Sequence, residues 1–331
     1  MRTVLVGSRS FGNVVTIGNT LLQNAGFAVH RVGEEDRPLD DAKLASLVSR
    51  ERPAALIPGA EPVSEAVLSA SESLRMIMKH GVGVDNIDLG AATSLGIAVA
   101  NAPGTNADAV ADLTVALMLS LLRGVCPANA STRSGSWERY MGHQLGAMVV
   151  GVVGTGRIGS AVCRRVAAFG SKLLGYDVFE NEDLKSSCGL EYRPLDKLLG
   201  EADIVTLHAP LLPQTVGMIG PSELAHMKAS ALLVNCARGE LVDEQALADV
   251  LRDRRIAGAA VDVFGTEPPQ DSPLLQLDNV LATPHIGAYT YEAMETMDRL
   301  CAETVIDVLD RGLIPSNVLN PEVLEASRDA D

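Results

Sequence analysis

The sequence predicts an α/β protein with two doubly wound parallel sheets, each covered by helices on both faces. Three observations carry that prediction. Short apolar runs alternate with helical stretches in both halves of the chain. A glycine fingerprint, Gly154-Thr155-Gly156-Arg157-Ile158-Gly159, lies where a strand should turn into a helix. The chain has 331 residues, too many for one ordinary core, so two domains are expected.

In the first half, Val4–Val6, 54–57, 75–78 and 97–100 are brief apolar runs bounded by Gly, Pro or charge, as buried strands are. Residues 41–50 and 62–69 read as helices between them. Residues 106–122 form a strong helix candidate, because Val110, Leu113, Leu117 and Leu121 recur at helical spacing. The polar stretch 129–142 is expected to break it. A second alternating block starts at Met148, with strands over 149–153, 172–176, 204–207, 231–235, 258–262 and 280–282. Six strands suffice for a complete dinucleotide domain. Residues 289–309 read as a helix returning to the first domain. The expected boundaries are 1–101 completed by 288–331, and 102–287.

Composition narrows the function. Hydrophobic residues make up 47% and charged ones 21%, as in globular proteins. Aromatics are only 3%, so the core is aliphatic. A formal net charge of −15 argues against nucleic acid as a direct partner. Cys126, Cys163, Cys188, Cys236 and Cys301 are scattered, without a Cys-x-x-Cys pair; neither a disulfide framework nor a metal site is expected. A reducing cytoplasm is the simple expectation. The N-terminal apolar run is too short for a signal peptide, and no stretch of about 18 apolar residues suggests a membrane span.

The fingerprint follows the strand 149–153 and precedes a helix over 158–169. Gly154 suits the tight turn, Gly156 lets the backbone approach a pyrophosphate, and Gly159 lets helix and strand pack closely. The helix start, with Arg157 and Ile158, offers free N–H groups and partial positive charge to phosphates. Asp177 ends the next strand. A carboxylate there accepts hydrogen bonds from ribose hydroxyls and repels a 2′-phosphate, which favours NAD over NADP. Gly7-Ser-Arg-Ser-Phe-Gly12 lacks the Lys-Ser/Thr ending of a triphosphate loop and reads as a structural turn.

Three ionisable residues follow the fingerprint. Arg238 stands just after the strand 231–235, and His285 just after 280–282; ligands of doubly wound sheets bind beyond such carboxyl ends. The guanidinium fork suits a carboxylate. The imidazole exchanges protons near neutral pH. Glu267, in a loop stiffened by Pro268 and Pro269, can accept a hydrogen bond from the other ring nitrogen. The set suits hydride transfer to or from a small anionic 2-oxo or 2-hydroxy acid.

The chain resembles the D-isomer-specific 2-hydroxyacid dehydrogenases, the family that includes D-3-phosphoglycerate dehydrogenase. The resemblance rests on Gly81-Val-Gly-Val-Asp-Asn-Ile-Asp88, Asn101-Ala-Pro-Gly-Thr-Asn106, the fingerprint, His208-Ala-Pro210, Asn235-Cys-Ala-Arg-Gly239, the stretch 262–269 and Thr283-Pro-His-Ile-Gly287. It implies a flavodoxin-like substrate domain, a Rossmann NAD-binding domain and a homodimer. It implies that Arg238 binds and polarises substrate, that Glu267 supports the histidine, and that His285 is the acid/base. Backbone amides around Val82 and Gly83 would hold the substrate carboxylate. Asp262 would anchor the nicotinamide carboxamide. His208, Pro210, Cys236 and Ala237 would line the cofactor cleft.

Departures bear on the substrate. A common Lys is missing from Gln144-Leu-Gly-Ala-Met-Val149. Phosphoglycerate-acting relatives usually carry Arg-Ser after the apolar run 54–57, where this chain has Pro58-Gly-Ala-Glu-Pro62. Glu61 would repel a phosphate if it faced the cleft, leaving Lys79 and His80 as the nearest cations. The expected substrate is therefore 3-phosphoglycerate/3-phosphohydroxypyruvate or an unphosphorylated acid such as glyoxylate or hydroxypyruvate. A formate-dehydrogenase reading is disfavoured by Glu267, and a phosphite-oxidising relative shares the Arg, Glu and His. An NAD-sensing corepressor acting by partner binding is the alternative from a different class.

Overall fold

A computed structural model describes residues 2–328. The chain divides into two compact units, residues 1–106 with 289–331 and residues 107–288.

In chain order the first unit runs β1 (Thr3–Val6), α1 (Ile17–Asn24), β2 (Ala28–Arg31), α2 (Asp41–Glu51), β3 (Ala55–Ile57), α3 (Glu65–Leu68), β4 (Met76–Met78), α4 (Leu89–Ser94) and β5 (Ala98–Ala100). Its five strands are all parallel and ordered β2-β1-β3-β4-β5. That order is the flavodoxin-like one, with a topological switch between β1 and β3. β3, β4 and β5 are buried at every residue, which is why they appear in the sequence as continuous apolar runs. β2 was not foreseen. It is an edge strand, none of its residues is fully buried, and it includes His30 and Arg31.

The second unit runs α5 (Ala107–Arg123), α6 (Val125–Ser134), β6 (Val149–Val153), α7 (Arg157–Ala168), β7 (Lys172–Tyr176), α8 (Glu182–Cys188), β8 (Glu191–Tyr192), α9 (Leu195–Glu201), β9 (Ile204–Leu207), α10 (Pro221–His226), β10 (Leu232–Asn235), α11 (Glu244–Arg252), β11 (Gly258–Val261) and β12 (Val280–Ala282). Its sheet has seven parallel strands, ordered β12-β11-β10-β9-β6-β7-β8. The expected six gain a seventh, β8, whose two residues make an edge pairing too short to show a pattern. Successive residues of the central strands point to opposite faces. Val150, Val152, Val234 and Ala260 enter one core; Val153, Leu233, Ala259 and Val261 enter the other. Each fully buried Val or Leu contributes about 1.5–3 kcal/mol.

The stretch expected to break the helical pattern at residue 129 stays helical to Ser134. The break lies earlier, at Gly124, whose φ of +56° separates α5 from α6; Gly135, at φ +80°, ends α6. The polar residues of α6 are mostly exposed, so polarity did not prevent a helix there. No single helix is long and apolar enough to cross a membrane among the described residues. The chain then re-enters the first unit with α12 (Tyr291–Leu309), packed on α1 and β4, and α13 (Glu322–Arg328).

Candidate active site

The fingerprint turn joins β6 to α7. Gly154 has φ +89°, and a Cβ on Gly159 would stand 1.9 Å from the Gly154 carbonyl oxygen. Only glycine allows the helix to sit this close to the turn. A Cβ on Gly156 would meet nothing within 4 Å, so the backbone is open where a ligand would approach. No side chain caps α7, whose first N–H groups remain available. Arg157 is exposed and Ile158 half-buried at this opening. These features fit a dinucleotide pyrophosphate.

Asp177 follows β7. Its Oδ2 accepts hydrogen bonds from Thr155 N at 2.6 Å and Thr155 Oγ1 at 3.2 Å, and its Oδ1 accepts from Phe179 N at 3.3 Å. A carboxylate has about four acceptor sites, so capacity for a ribose hydroxyl remains. His208 follows β9. Its Nε2 shares a hydrogen bond with Thr206 Oγ1 at 2.9 Å. Its buried Nδ1 has no protein partner, which suits a ligand hydrogen bond. Burial pushes its pKa down to about 3, so the ring is neutral. Pro210 is exposed two residues further on.

Arg238 follows β10, and the turn that carries it is built by a residue the sequence reading passed over. Asn235 is 1% exposed, receives the Ala237 N–H at 3.0 Å and donates to the Arg238 carbonyl at 2.8 Å. Its place inside a strand-end motif was the available signal. Gly239 then lets the turn after β10 touch the one after β11, since a Cβ there would lie 2.0 Å from the Phe264 carbonyl carbon. Arg238 Nη1 donates to the Ala237 carbonyl at 2.8 Å. Burial pushes the Cys236 thiol up to about 12, partly offset by a hydrogen bond with Thr114; it is an inert packing group.

His285 Nδ1 meets Glu267 Oε2 at 2.7 Å. Glu267 Oε1 is fixed by the Phe264 N–H at 3.1 Å. Burial raises the Glu267 pKa. The His285 hydrogen bond and charge, the Phe264 N–H and the Arg238 charge together outweigh it, and the carboxyl titrates below its ordinary value. His285 has φ +53°, a conformation costly for a residue with a side chain. Asp262 holds it there. The His285 N–H donates to the Asp262 carbonyl at 2.8 Å. The Asp262 carboxylate accepts from Thr283 Oγ1 at 2.6 Å, Ile286 N at 2.9 Å and Gly287 N at 2.8 Å. Asp262, expected to anchor a carboxamide, is 1% exposed and braces the histidine loop, with about one acceptor site left.

The first unit carries Val82 and Gly83 in the loop after β4. Their N–H groups find no acceptor in the protein among the described residues, while the Val82 carbonyl is held by Asn101 Nδ2 at 2.6 Å. Three expectations change here. Lys79 is 8% exposed and braces its loop, donating to the Gly59 carbonyl and to Asn86 Oδ1. His80 is 7% exposed and bonded to Asp298, so it is no open cation. Glu61 is paired with Arg37 at 3.2 Å and accepts from Gly59 N at 2.5 Å, so it does not stand as a bare charge.

Residues 115–287 match the family model described as D-isomer specific 2-hydroxyacid dehydrogenase, NAD binding domain. A D-3-phosphoglycerate dehydrogenase of Methanocaldococcus jannaschii is 45% identical over 78% of this chain and 50% of its own length. A glyoxylate reductase of Korarchaeum cryptofilum is 42% identical over 80% of this chain and 82% of its own. The chain thus spans about half the length of the first of these relatives. Among solved structures, a D-lactate dehydrogenase of Aquifex aeolicus complexed with NAD and lactic acid is 27% identical, with a TM-score of 0.84 over 96% of this chain and 99% of that one. The chain belongs to the D-isomer-specific 2-hydroxyacid dehydrogenase family, and residues 115–287 are its NAD-binding domain.

Proposed function

We propose that the chain is an NAD-dependent oxidoreductase interconverting a small D-2-hydroxy acid and its 2-oxo acid. One observation carries this reading: the 2.7 Å His285–Glu267 pair and Arg238 stand at the carboxyl ends of the adjacent strands β10, β11 and β12, in the same sheet as the dinucleotide turn. When bound, NAD supplies hydride chemistry. Glu267 holds Nδ1 of His285, leaving Nε2 to give a proton to the alkoxide or take it back. Arg238 neutralises the substrate carboxylate and polarises the carbonyl. The second unit is the cofactor domain. In the first unit the Val82 and Gly83 amides, without a protein acceptor among the described residues, are groups that can hold a carboxylate.

Substrate candidates are 3-phosphohydroxypyruvate and unphosphorylated acids such as glyoxylate or hydroxypyruvate, in keeping with the names of the relatives. A homodimer is supported by Trp137, 69% exposed, and Met141, 100% exposed, beside α6; light scattering tests it. Five free thiols suit a reducing cytoplasm.

The test is NADH oxidation across 2-oxo acids with and without a 3-phosphate, with His285→Ala in parallel. Activity that the variant loses supports the reading. No His285-dependent activity on any acid sinks it and favours an NAD-sensing binding protein.

A further inference from the structure

β8 is two residues long, yet it sets one side chain beside the dinucleotide turn. Tyr192, half-buried, pairs with Gly175 of β7. A Cβ on Gly175 would stand 3.2 Å from Cε1 of the Tyr192 ring, so glycine leaves the ring its place. Lys185 Nζ lies 5.5 Å from the ring centroid and is held in turn by Glu180 and Glu182. Tyr192 Oη receives the Asn181 N–H at 2.7 Å and lies 2.8 Å from Thr155 Oγ1. Thr155 is 3% exposed, and both its N–H and its hydroxyl reach Asp177 Oδ2.

We propose that Tyr192 is a positioning residue for cofactor selection. Through Thr155 it fixes the Asp177 carboxylate, which tells a ribose hydroxyl from a 2′-phosphate. This rests on the ribose contact proposed for Asp177. Every residue involved belongs to the second unit.

Counting protons gives the chain of hydrogen bonds a direction. A carboxylate only accepts, so Thr155 gives its single hydroxyl proton to Asp177. Thr155 Oγ1 must then accept at 2.8 Å, and its donor is the Tyr192 hydroxyl. The phenolic oxygen accepts in turn from Asn181 N. The order is therefore Asn181 to Tyr192 to Thr155 to Asp177. Hydrogen bonds aligned head to tail polarise one another and strengthen the last link.

The same count leaves a place for the ribose. Oδ2 is filled by the Thr155 N–H and hydroxyl, whereas Oδ1 accepts from Phe179 N at 3.3 Å and keeps about one acceptor site. A second link braces the loop after β7. Asn181 Nδ2 donates to Ser160 Oγ at 3.4 Å, and Ser160 Oγ donates to the Thr155 carbonyl at 2.8 Å. Backbone and side chain of Asn181 thus both lead back to Thr155. A fixed carboxylate meets a hydroxyl in good geometry and stays in the way of a phosphate; a mobile one swings aside. Residues 177–183 include no Lys or Arg, so that loop offers a phosphate no cation in exchange.

The test measures Kd for NADH and NADPH by fluorescence titration. The wild type is compared with Tyr192→Phe, Thr155→Val, Thr155→Ser, Asp177→Ala and the double variant Asp177→Ala/Tyr192→Phe. Tyr192→Phe keeps the ring and removes the hydroxyl. It should shrink the preference for NADH about threefold, within the worth of one hydrogen bond. Thr155→Val cuts the same chain one link on and should match it, which decides the matter if Tyr192→Phe does not fold. Thr155→Ser should keep the preference. With Asp177→Ala already present, Tyr192→Phe should change the preference no further. Three results overturn the inference while leaving the ribose contact standing: an unmoved preference in Tyr192→Phe, equal weakening of both cofactors, or the same threefold loss without Asp177. An unmoved preference in Asp177→Ala itself overturns both.

Discussion

His285 meets Glu267 at 2.7 Å in one unit, and His80 meets Asp298 at 2.8 Å in the other. Both histidines stand beyond the carboxyl end of a parallel strand, after β12 and β4. Their surroundings differ. The side chains of the first pair are 46% and 33% exposed; those of the second are 2% and 0% exposed. His285 is held at positive φ by a braced loop, whereas His80 lies between two serines and a phenylalanine. An imidazole that exchanges protons with a substrate must be reachable. One sealed against an aspartate on a distant helix serves to fix the chain around it. A histidine–carboxylate pair is thus open to solvent in one unit, as the chemistry proposed for His285 requires, and sealed in the other.

The largest effect that would break this contrast is on turnover. His285→Ala is expected to lower kcat by about 10²–10⁴, with NADH affinity, read by fluorescence titration, nearly kept. Unchanged turnover would remove His285 from the chemistry. Next comes stability. Asp298→Ala leaves His80 buried without its carboxylate and should cost about 3–5 kcal/mol in urea denaturation. A loss under about 1 kcal/mol would mean that the buried pair is not structural.

A smaller effect concerns a third carboxylate, Asp177, proposed to select between the two cofactors. Asp177→Ala should reduce the preference for NADH over NADPH roughly tenfold, as expected for one hydrogen-bonding contact; an unaltered preference counts against the ribose contact. The smallest effect is pH-dependent. The Glu267 pKa is lowered in the folded state. Its contribution to stability is full above the ordinary carboxylate value of about 4.3. It is lost as pH falls through the lowered folded value. The Tm advantage of wild type over Glu267→Gln should therefore hold at neutral pH and close in acid. A gap independent of pH would show that the His285 pair contributes nothing to folding through charge.

Legibility followed sequence distance. The cofactor turn needs a strand, three glycines, a helix and an acid within about 30 residues, so its parts lie side by side in the sequence. Arg238 and His285 stand just past apolar runs, and Glu267 lies in a proline-stiffened loop, so each is legible singly. β2 and β8 escaped notice because edge strands need no apolar alternation, and β8 has only two residues. α6 escaped because an exposed helix tolerates a polar surface. Asn235 and Asp262 were visible as residues, but their bracing of the Arg238 and His285 turns was not.

By itself the sequence determined the two-sheet α/β class, the dinucleotide turn and the three ionisable residues after the strands of the second sheet. Those are properties of local pattern: period, turn chemistry and position after an apolar run. Tertiary structure alone decided the strand orders, the 2.7 Å meeting of His285 with Glu267, and the conversion of His80 from an open cation into a buried partner of Asp298. His80 and Asp298 are 218 residues apart. No local signal couples such a pair, because only the packing of α12 against β4 brings their elements together and removes their water.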